Sequence, residues 1–220
     1  MDQRSVSEAV AALRNRIAQA GGTDVALVGV TKTFGSQAWQ FANAAGCDAV
    51  GENYAQEVVQ KAGEVALAER LPVHFIVQFQ LNKIKQLVGI VDVWQSIDRL
   101  ALLTEIAKRT PESGSQVLLQ VNVTGEDEKG GCAPIQVAEL FRAARDMGIE
   151  VLGLMAVGPT NEDPIVTRSA FRMLRALVDE HGLRQCSMGM TGDLEIAVEE
   201  GSTMVRVGSA LFGNRPSPHR

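Results

Sequence analysis

Cysteine is scarce in this sequence. Only three of the 220 residues are cysteines, Cys47, Cys132 and Cys186, and they lie far apart in the chain. No Cys-x-x-Cys or His-x-His pair is present. An odd number of isolated cysteines suits neither a disulfide framework nor a zinc site. We therefore expect reduced thiols, no bound metal and a cytoplasmic protein.

Long apolar runs and an excess of basic residues are also lacking. No apolar run approaches the roughly 18 residues of a membrane span, and the first five residues contain an acid and no apolar signal core. Lys and Arg number 21 against 26 Asp and Glu, which gives a net charge of −5. Because phosphate contacts need a dense basic surface, we predict no nucleic-acid partner and no membrane partner.

Several common sequence motifs and residue types are missing as well. The chain has no GxGxxG, no P-loop lysine and no GxSxG, so the motifs for dinucleotide binding, P-loop phosphate binding and a nucleophile elbow are absent. Two Trp and one Tyr are present, and no long exposed apolar stripe stands out. We therefore favour a monomer.

The sequence that remains alternates between short Val/Ile/Leu-rich runs and longer stretches of helical periodicity. Predicted strands cover 25–30, 48–52, 74–79, 93–97, 117–123, 151–157, 186–190 and 204–209. Predicted helices cover 5–20, 36–46, 54–68, 82–88, 100–109, 134–147, 166–181 and 194–200. This alternation indicates parallel βαβ units, closed either as an open doubly wound sheet or as a (β/α)8 barrel. Eight units in about 200 residues fit a compact barrel with an extra N-terminal helix. We expect one domain over 1–220, with 214–220 as a flexible tail.

In a barrel, functional side chains gather at the carboxyl ends of the strands. The first predicted strand leads to Lys32, and the second ends in Gly51-Glu52-Asn53-Tyr54. Desolvation at a strand end lowers the pKa of a lysine and makes its amine a better nucleophile towards an aldehyde. The alternative is a lysine that reaches solvent from the strand end.

The last strand carries Arg206, Gly208 and Ser209, and the turn that follows predicts a short helix through Phe212. Amides at such a helix start can bind phosphate, and Ser187 and Thr191 could add hydroxyl donors. Gly208 could instead only relieve crowding. An inward-facing Arg206 needs a partner, either a carboxylate such as Asp193 or Glu195 or a ligand atom.

Nine segments resemble, in order, the pyridoxal 5′-phosphate homeostasis protein family, whose members are called YggS-like proteins or proline synthase co-transcribed homologues. They are VTKT at 30–33, GENYAQE at 51–57, HFI at 74–76, QLNK at 80–83, SIDR at 96–99, QVNV at 120–123, GLMA at 153–156, SMGM at 187–190 with Asp193, and GSTMVRVGSALFG at 201–213.

The resemblance implies a single barrel of the alanine racemase N-terminal type, without that enzyme's second domain. It implies that Lys32 forms a Schiff base with pyridoxal 5′-phosphate (PLP) and that Arg206 faces the pyridine nitrogen. The remaining cofactor residues implied by the resemblance are Ser187, Thr191, Gly208 and Ser209 around the phosphate, and Asn53 and Met155 near the ring.

Two positions depart from the family pattern. The family has Gly after the His-Phe-Ile of the third strand, whereas this chain has Val77-Gln78-Phe79, which adds bulk at the barrel mouth. The family often has Ser where Thr191 stands, so a hydroxyl is kept.

An arginine at the pyridine nitrogen favours the unprotonated ring, which is a poor carbanion stabiliser. We therefore expect a protein without catalytic activity that buffers PLP and hands it to apo-enzymes, as the resemblance also implies. Three alternatives remain open. They are a weak amino-acid racemase using Lys129 or His74 as second base, a scaffold protein, and an aldolase using Lys32 on a sugar phosphate.

Overall fold

The computed structural model describes residues 1–77, 80–110 and 115–213. Its strands are β1 (Ala26–Val30), β2 (Ala49–Glu52), β3 (Val73–Phe75), β4 (Val93–Ile97), β5 (Gln116–Gln120), β6 (Glu150–Met155), β7 (Gln185–Ser187) and β8 (Met204–Val207). Its α-helices are α1 (Gln3–Gln19), α2 (Gln37–Ala45), α3 (Ala55–Glu64), α4 (Leu81–Leu87), α5 (Leu100–Arg109), α6 (Val137–Asp146), α7 (Pro164–Glu180), α8 (Leu194–Glu199) and α9 (Ser209–Phe212).

The eight strands form a closed barrel in chain order. Every neighbouring pair is parallel, and β1 pairs with β8, with Val28 opposite Arg206. This closure confirms the barrel and excludes the open doubly wound sheet. The barrel brings the carboxyl ends of all eight strands to one mouth, where ligand sites form in this architecture.

Helix α1 is the extra element in front of the first strand. The carboxylate of Asp2 accepts a hydrogen bond from the Ser5 amide and caps the helix start. Its buried residues are Val6, Val10, Leu13 and Ile17, spaced four, three and four apart, so they form one apolar stripe. That stripe packs the helix beside α2, α8 and α9.

The core has two parts. The larger one lies between the strands and the surrounding helices and includes Trp39, Trp94 and Phe171. The smaller one contains Val28, Ala49, Val93, Leu118, Met155 and Met204. Each of these six belongs to a barrel strand, so this second cluster fills the barrel interior.

Several predicted strands are longer than the observed ones. Strand β5 stops at Gln120, not residue 123, because Asn122 turns the chain: its side-chain oxygen accepts from the Gly125 amide. Strand β7 covers only Gln185–Ser187 although the apolar run continues to residue 190. Strand β3 ends at Phe75; within the predicted extension to residue 79, Gln78 and Phe79 lie outside the described residues.

Two predicted helices are also shortened. The stretch 54–68 is α3 followed by a 3-10 turn at Leu67–Glu69, and 134–147 begins with a 3-10 turn at Pro134–Gln136 before α6. The predicted tail at 214–220 lies outside the described residues. Over the described ranges, no helix is both long and apolar enough to cross a bilayer.

Gly153 permits the close pairing of β6 with β7. It stands opposite Gln185, and a Cβ at this position would lie 1.8 Å from the Gln185 carbonyl oxygen. Any side chain here would force the two strands apart, so the β6–β7 contact requires glycine.

Candidate functional site

A cavity of about 760 Å³ opens at the mouth of the barrel. Its volume is in the range of small-molecule and cofactor pockets. It brings together every predicted site residue except Ser187, namely Lys32, Asn53, Met155, Thr191, Arg206, Gly208 and Ser209. Val77 also lines it, while Gln78 and Phe79, the other two residues expected to add bulk at the mouth, lie outside the described residues.

Lys32 follows β1 by two residues, and the residue before it is fully buried. Its neighbour Thr33 has φ +70°, in the left-handed region, which β-branched residues rarely adopt. The chain therefore turns sharply at the residue after Lys32, and Lys32 faces the cavity.

A buried polar network stands behind this turn. Glu52, at the end of β2, is fully buried, and its Oε1 accepts hydrogen bonds from Thr31 Oγ1, Trp39 Nε1 and Lys61 Nζ at 2.6, 2.9 and 2.6 Å. The expectation that Glu52 joins the mouth is wrong, because its side chain is fully buried behind the cavity lining. The three donors all bind Oε1, and Oε2 is buried without a hydrogen-bond partner among the described residues. Asn53, one residue later, does line the cavity.

Lys61 is the residue of this network that sequence reasoning missed. It lies on α3 with Ala55, Val58 and Ala62 on the buried side. A lysine on an otherwise apolar helical stripe was the available signal, since lysine is almost never fully buried without a partner.

Arg206 lies on β8, the strand that pairs with β1, and its guanidinium is held by two hydrogen bonds inside the barrel. Its guanidinium donates to Ser187 Oγ at 2.7 Å and to the Ala156 carbonyl oxygen at 2.8 Å. Neither carboxylate considered for it is a hydrogen-bond partner: Asp193 accepts from the Met190 amide, and Glu195 pairs with Arg16 at 2.6 Å. Burial lowers the pKa of Arg206 to about 10, so it remains a cation at neutral pH.

Ser187 differs from its expected role. Its side chain is fully buried inside the barrel, where Oγ accepts from Arg206 and donates to Gln95 Oε1 at 2.9 Å. The hydroxyl thus has both a donor and an acceptor partner within the protein. The placement of Ser187 supports a role in fixing Arg206 and does not support direct contact with a phosphate.

The network continues to His74. Gln95 uses its oxygen for Ser187, and its Nε2 donates to His74 Nδ1 at 2.5 Å. Burial lowers the pKa of His74 to about 4, which keeps the ring neutral and Nδ1 free to accept. The side chain is a buried hydrogen-bonded residue outside the cavity lining, so it does not offer a second base there.

The cavity lining continues just after Arg206, where β8 ends and α9 starts. Leu211 and Phe212 donate their amides to the Gly208 carbonyl, which leaves the first two amides of the helix, at Ser209 and Ala210, without an acceptor inside it. Gly208, Ser209 and Thr191 all line the cavity. Amides and hydroxyls at one edge form a donor set suited to an anion.

Loops after β5 and β6 cover the remaining side, and sequence reasoning did not single out their contact. The carboxylate of Glu126 accepts from the Thr160 amide at 3.0 Å and from its hydroxyl, and these bonds lower the pKa of Glu126. Lys129 and Thr160 line the cavity, as the position of Lys129 after the fifth strand suggested. Among the described residues, no group of three or more His, Cys, Asp and Glu side chains could hold a metal ion.

The family model described as alanine racemase, N-terminal domain, matches residues 2–216 of this chain. The pyridoxal phosphate homeostasis protein of Aquifex aeolicus is 40% identical over 198 residues, which cover 86% of each chain. That of Pseudomonas aeruginosa is 39% identical over 224 residues, covering 96% of each. The chain belongs to the pyridoxal phosphate homeostasis protein family.

Solved structures agree with the family and the fold. PipY of Synechococcus elongatus with PLP bound superimposes with a TM-score of 0.85 at 30% identity, covering 94% of this chain and 100% of PipY. The alanine racemase of Streptomyces lavendulae gives a TM-score of 0.77 at 19% identity, with 99% of this chain covering 59% of the racemase. This second likeness shows the alanine racemase N-terminal barrel as the shared fold.

Proposed function

We propose that this family member binds PLP covalently through Lys32 and acts in PLP buffering and delivery, with no catalytic turnover of its own. The observation that carries the proposal is the convergence of Lys32, Arg206 and the start of α9 on one cavity. The lining fits the cofactor chemically. It supplies a primary amine for an aldehyde, a buried cation for a heteroaromatic nitrogen, and amide and hydroxyl donors for a phosphate.

Lys32 supplies the covalent link. Its unprotonated amine adds to the aldehyde carbon, a C=N bond forms, and the aldehyde oxygen leaves as water. The residue before Lys32, Thr31, is fully buried, so the lysine stands at the edge of the core and faces the cavity. The bond is reversible by hydrolysis, so a protein that uses it can both retain and release the cofactor.

Arg206 limits what the bound cofactor can do. PLP supplies an electron sink when its ring nitrogen is protonated. A guanidinium that remains charged has only donors to offer, so facing the nitrogen it favours the unprotonated form. Ser187 and the Ala156 carbonyl hold this guanidinium in place. This supports a holder of PLP over a catalyst of carbanion chemistry.

The phosphate end completes the proposed site. The Ser209 and Ala210 amides, with the hydroxyls of Thr191 and Ser209, form its donors. Asn53 and Met155 lie in the same lining and are proposed to flank the ring.

We propose that the protein delivers its bound PLP to apo-enzymes. We further propose a monomer in the cytoplasm, where the three free, buried cysteines Cys47, Cys132 and Cys186 stay reduced. Burial raises the pKa of each of these thiols, to between about 11 and about 12, so they are poor nucleophiles and do not compete with Lys32 for an aldehyde.

The test is borohydride reduction of the purified protein mixed with PLP, followed by peptide mass mapping. We expect the added mass on the peptide containing Lys32. Lys32→Ala should abolish that adduct and leave the fold intact by circular dichroism. Lys129→Ala is the matched control, because it removes another lysine of the same cavity. An adduct retained in Lys32→Ala, or absent from the parent protein, contradicts the proposal.

One observation favours a second candidate, a weak amino-acid racemase. Lys129 lines the cavity and offers a second proton-transfer group, whereas His74 does not. This candidate predicts racemisation of an amino acid by the PLP-loaded protein that disappears in Lys129→Ala. Loaded protein that leaves enantiomerically pure alanine unchanged excludes it.

A further inference from the structure

Lys61 is buried on the far side of the Lys32 turn, away from the cavity lining. Its side chain is 3% exposed, and its partner Glu52 is 0% exposed, with Nζ 2.6 Å from Glu52 Oε1. A second carboxylate, Glu57, lies 3.3 Å from the same ammonium. Replacing a buried ion pair by apolar residues is often neutral or stabilising, so stability alone is weak grounds for this arrangement.

The contacts of this group converge on the backbone of Lys32. Lys61 Nζ donates at 2.8 Å to the Thr31 carbonyl oxygen, which belongs to the peptide bond preceding Lys32. Glu57 Oε2 accepts at 2.8 Å from the Thr33 amide, which belongs to the peptide bond following Lys32. Lys61, Glu52 and Glu57 form an ion triad, and both peptide groups that adjoin the Lys32 Cα are hydrogen-bonded to it. These bonds fix the direction of the Lys32 Cα–Cβ bond.

The conformation at Thr33 explains why these hydrogen bonds are needed. A threonine at φ +70° is disfavoured and persists only where surrounding contacts hold it. The Glu57 carboxylate supplies that contact, and Lys61 in turn holds the carboxylate.

We propose that Lys61 and Glu57 are positioning residues, which hold the Lys32 turn in the geometry that lets its amine reach an aldehyde. This inference rests on the proposed covalent link between Lys32 and PLP. Under this inference the ion triad raises the rate at which Lys32 captures the aldehyde. It does not change the affinity of the cavity for the phosphate or the ring.

Two ligands distinguish the rate of covalent capture from the noncovalent affinity of the cavity. PLP reports the rate of C=N formation in a stopped-flow absorbance experiment, whereas pyridoxine 5′-phosphate lacks the aldehyde and reports noncovalent binding alone. For Lys61→Met, an unbranched side chain that is one atom shorter and carries no charge, we expect capture to slow at least tenfold. Its affinity for pyridoxine 5′-phosphate should change less than threefold.

Glu57 offers a matched pair of variants at a partly exposed position, should Lys61→Met fail to fold. Glu57→Gln keeps an oxygen that can accept from the Thr33 amide, and we expect capture within threefold of the parent. Glu57→Leu removes the acceptor and should slow capture at least tenfold. Ile106→Ala, a buried change on α5 away from the cavity, controls for a general loss of stability and should leave the capture rate unchanged.

Capture at the parental rate in both Lys61→Met and Glu57→Leu overturns the inference. So does an equal loss of capture and of pyridoxine 5′-phosphate binding, because that is the result of a collapsed cavity. A parent protein that forms no adduct on Lys32 counts instead against the proposed function, so the two failures are distinguishable.

Discussion

Arg206 and Ser187 lie on the neighbouring strands β8 and β7, and the guanidinium donates to the serine hydroxyl at 2.7 Å. An arginine can only donate, so Ser187 must accept from it and donate its own proton to Gln95 Oε1. The amide nitrogen of Gln95 then faces His74 Nδ1, which must be the unprotonated ring nitrogen. The charge of one arginine thus sets the proton arrangement of four side chains inside the barrel.

Removing the Ser187 hydroxyl should disturb Arg206. Ser187→Ala leaves a buried guanidinium donor and the Gln95 oxygen without partners, so we expect a loss of about 2 kcal/mol in stability. PLP affinity should fall threefold to tenfold in an equilibrium titration, with a shift in the absorption maximum of the bound cofactor. Arg206→Ala should weaken PLP binding further still.

Ser202→Ala is the control for that variant. Ser202 is also buried at the β7–β8 seam, and its hydroxyl donates to the carbonyls of Met188 and Met204 but does not contact Arg206. It should lose stability without a change in PLP affinity or spectrum. Equal effects of both serine variants on PLP binding would contradict the assigned role of Ser187.

His74 predicts a specific loss of stability in acid. Its pKa is about 4 in the folded protein against 6.5 when unperturbed, so between these values the unfolded chain binds a proton that the folded chain does not. Stability is therefore unaffected above about pH 7 and falls as the pH drops from 6.5 towards 4. At pH 4.5 the penalty is about 3 kcal/mol, at 1.36 kcal/mol per pKa unit.

Denaturant unfolding at pH 7 and pH 4.5 measures this loss of stability. We expect His74→Gln to lose less stability between the two pH values than the parent protein, because Gln has no proton to gain. His181→Gln, at the end of α7, is the matched control and should follow the parent. Parallel curves for His74→Gln and the parent would show that His74 is not buried as a neutral ring.

The phosphate donors that we propose at the start of α9 predict a strong preference for the phosphorylated cofactor. Pyridoxal, which keeps the aldehyde and ring but lacks the phosphate, should bind at least tenfold more weakly than PLP, because several charge-assisted hydrogen bonds are lost. Thr191→Val should weaken PLP several-fold and leave pyridoxal affinity unchanged, as measured by fluorescence titration. Equal losses for both ligands would place Thr191 away from the phosphate.

Two glycines should respond in opposite ways to alanine. Gly153→Ala places a Cβ 1.8 Å from the Gln185 carbonyl oxygen, so we expect a loss above about 3 kcal/mol or failure to fold. Gly63 is exposed on α3 with no atom within 4 Å of an added Cβ, and Gly63→Ala should stabilise by about 1 kcal/mol through helix propensity. Thermal unfolding of both variants is the measurement.

The barrel was predictable because eight apolar runs alternate with helical stretches, and parallel units of that number can close. Strand ends were less predictable. The apolar run at 186–190 continues past Ser187 because Met188 packs in the core beyond the last paired residue of β7. An apolar run reports burial, and burial does not require ladder pairing.

A residue's position in the cavity lining was predictable where it follows from its place on one strand, as for Lys32, Arg206 and Gly208. A role was not predictable where it depends on partners far along the chain. Ser187 meets Gln95, 92 residues away, and Lys61 meets the Thr31 carbonyl, 30 residues away. Local patterns carry no signal for such pairings, although a lysine on a buried helical stripe signals that one exists.

Strand β1 leads to Lys32 and strand β8 carries Arg206, and these two strands pair to close the ring. During synthesis on a ribosome, β8 is the last of the eight barrel strands to emerge, and the cavity is incomplete until it pairs with β1. A chain interrupted before residue 204 would possess Lys32 yet lack Arg206, Gly208 and Ser209, which complete the cavity lining. Bound PLP would therefore stabilise only those molecules in which β1 and β8 have already paired.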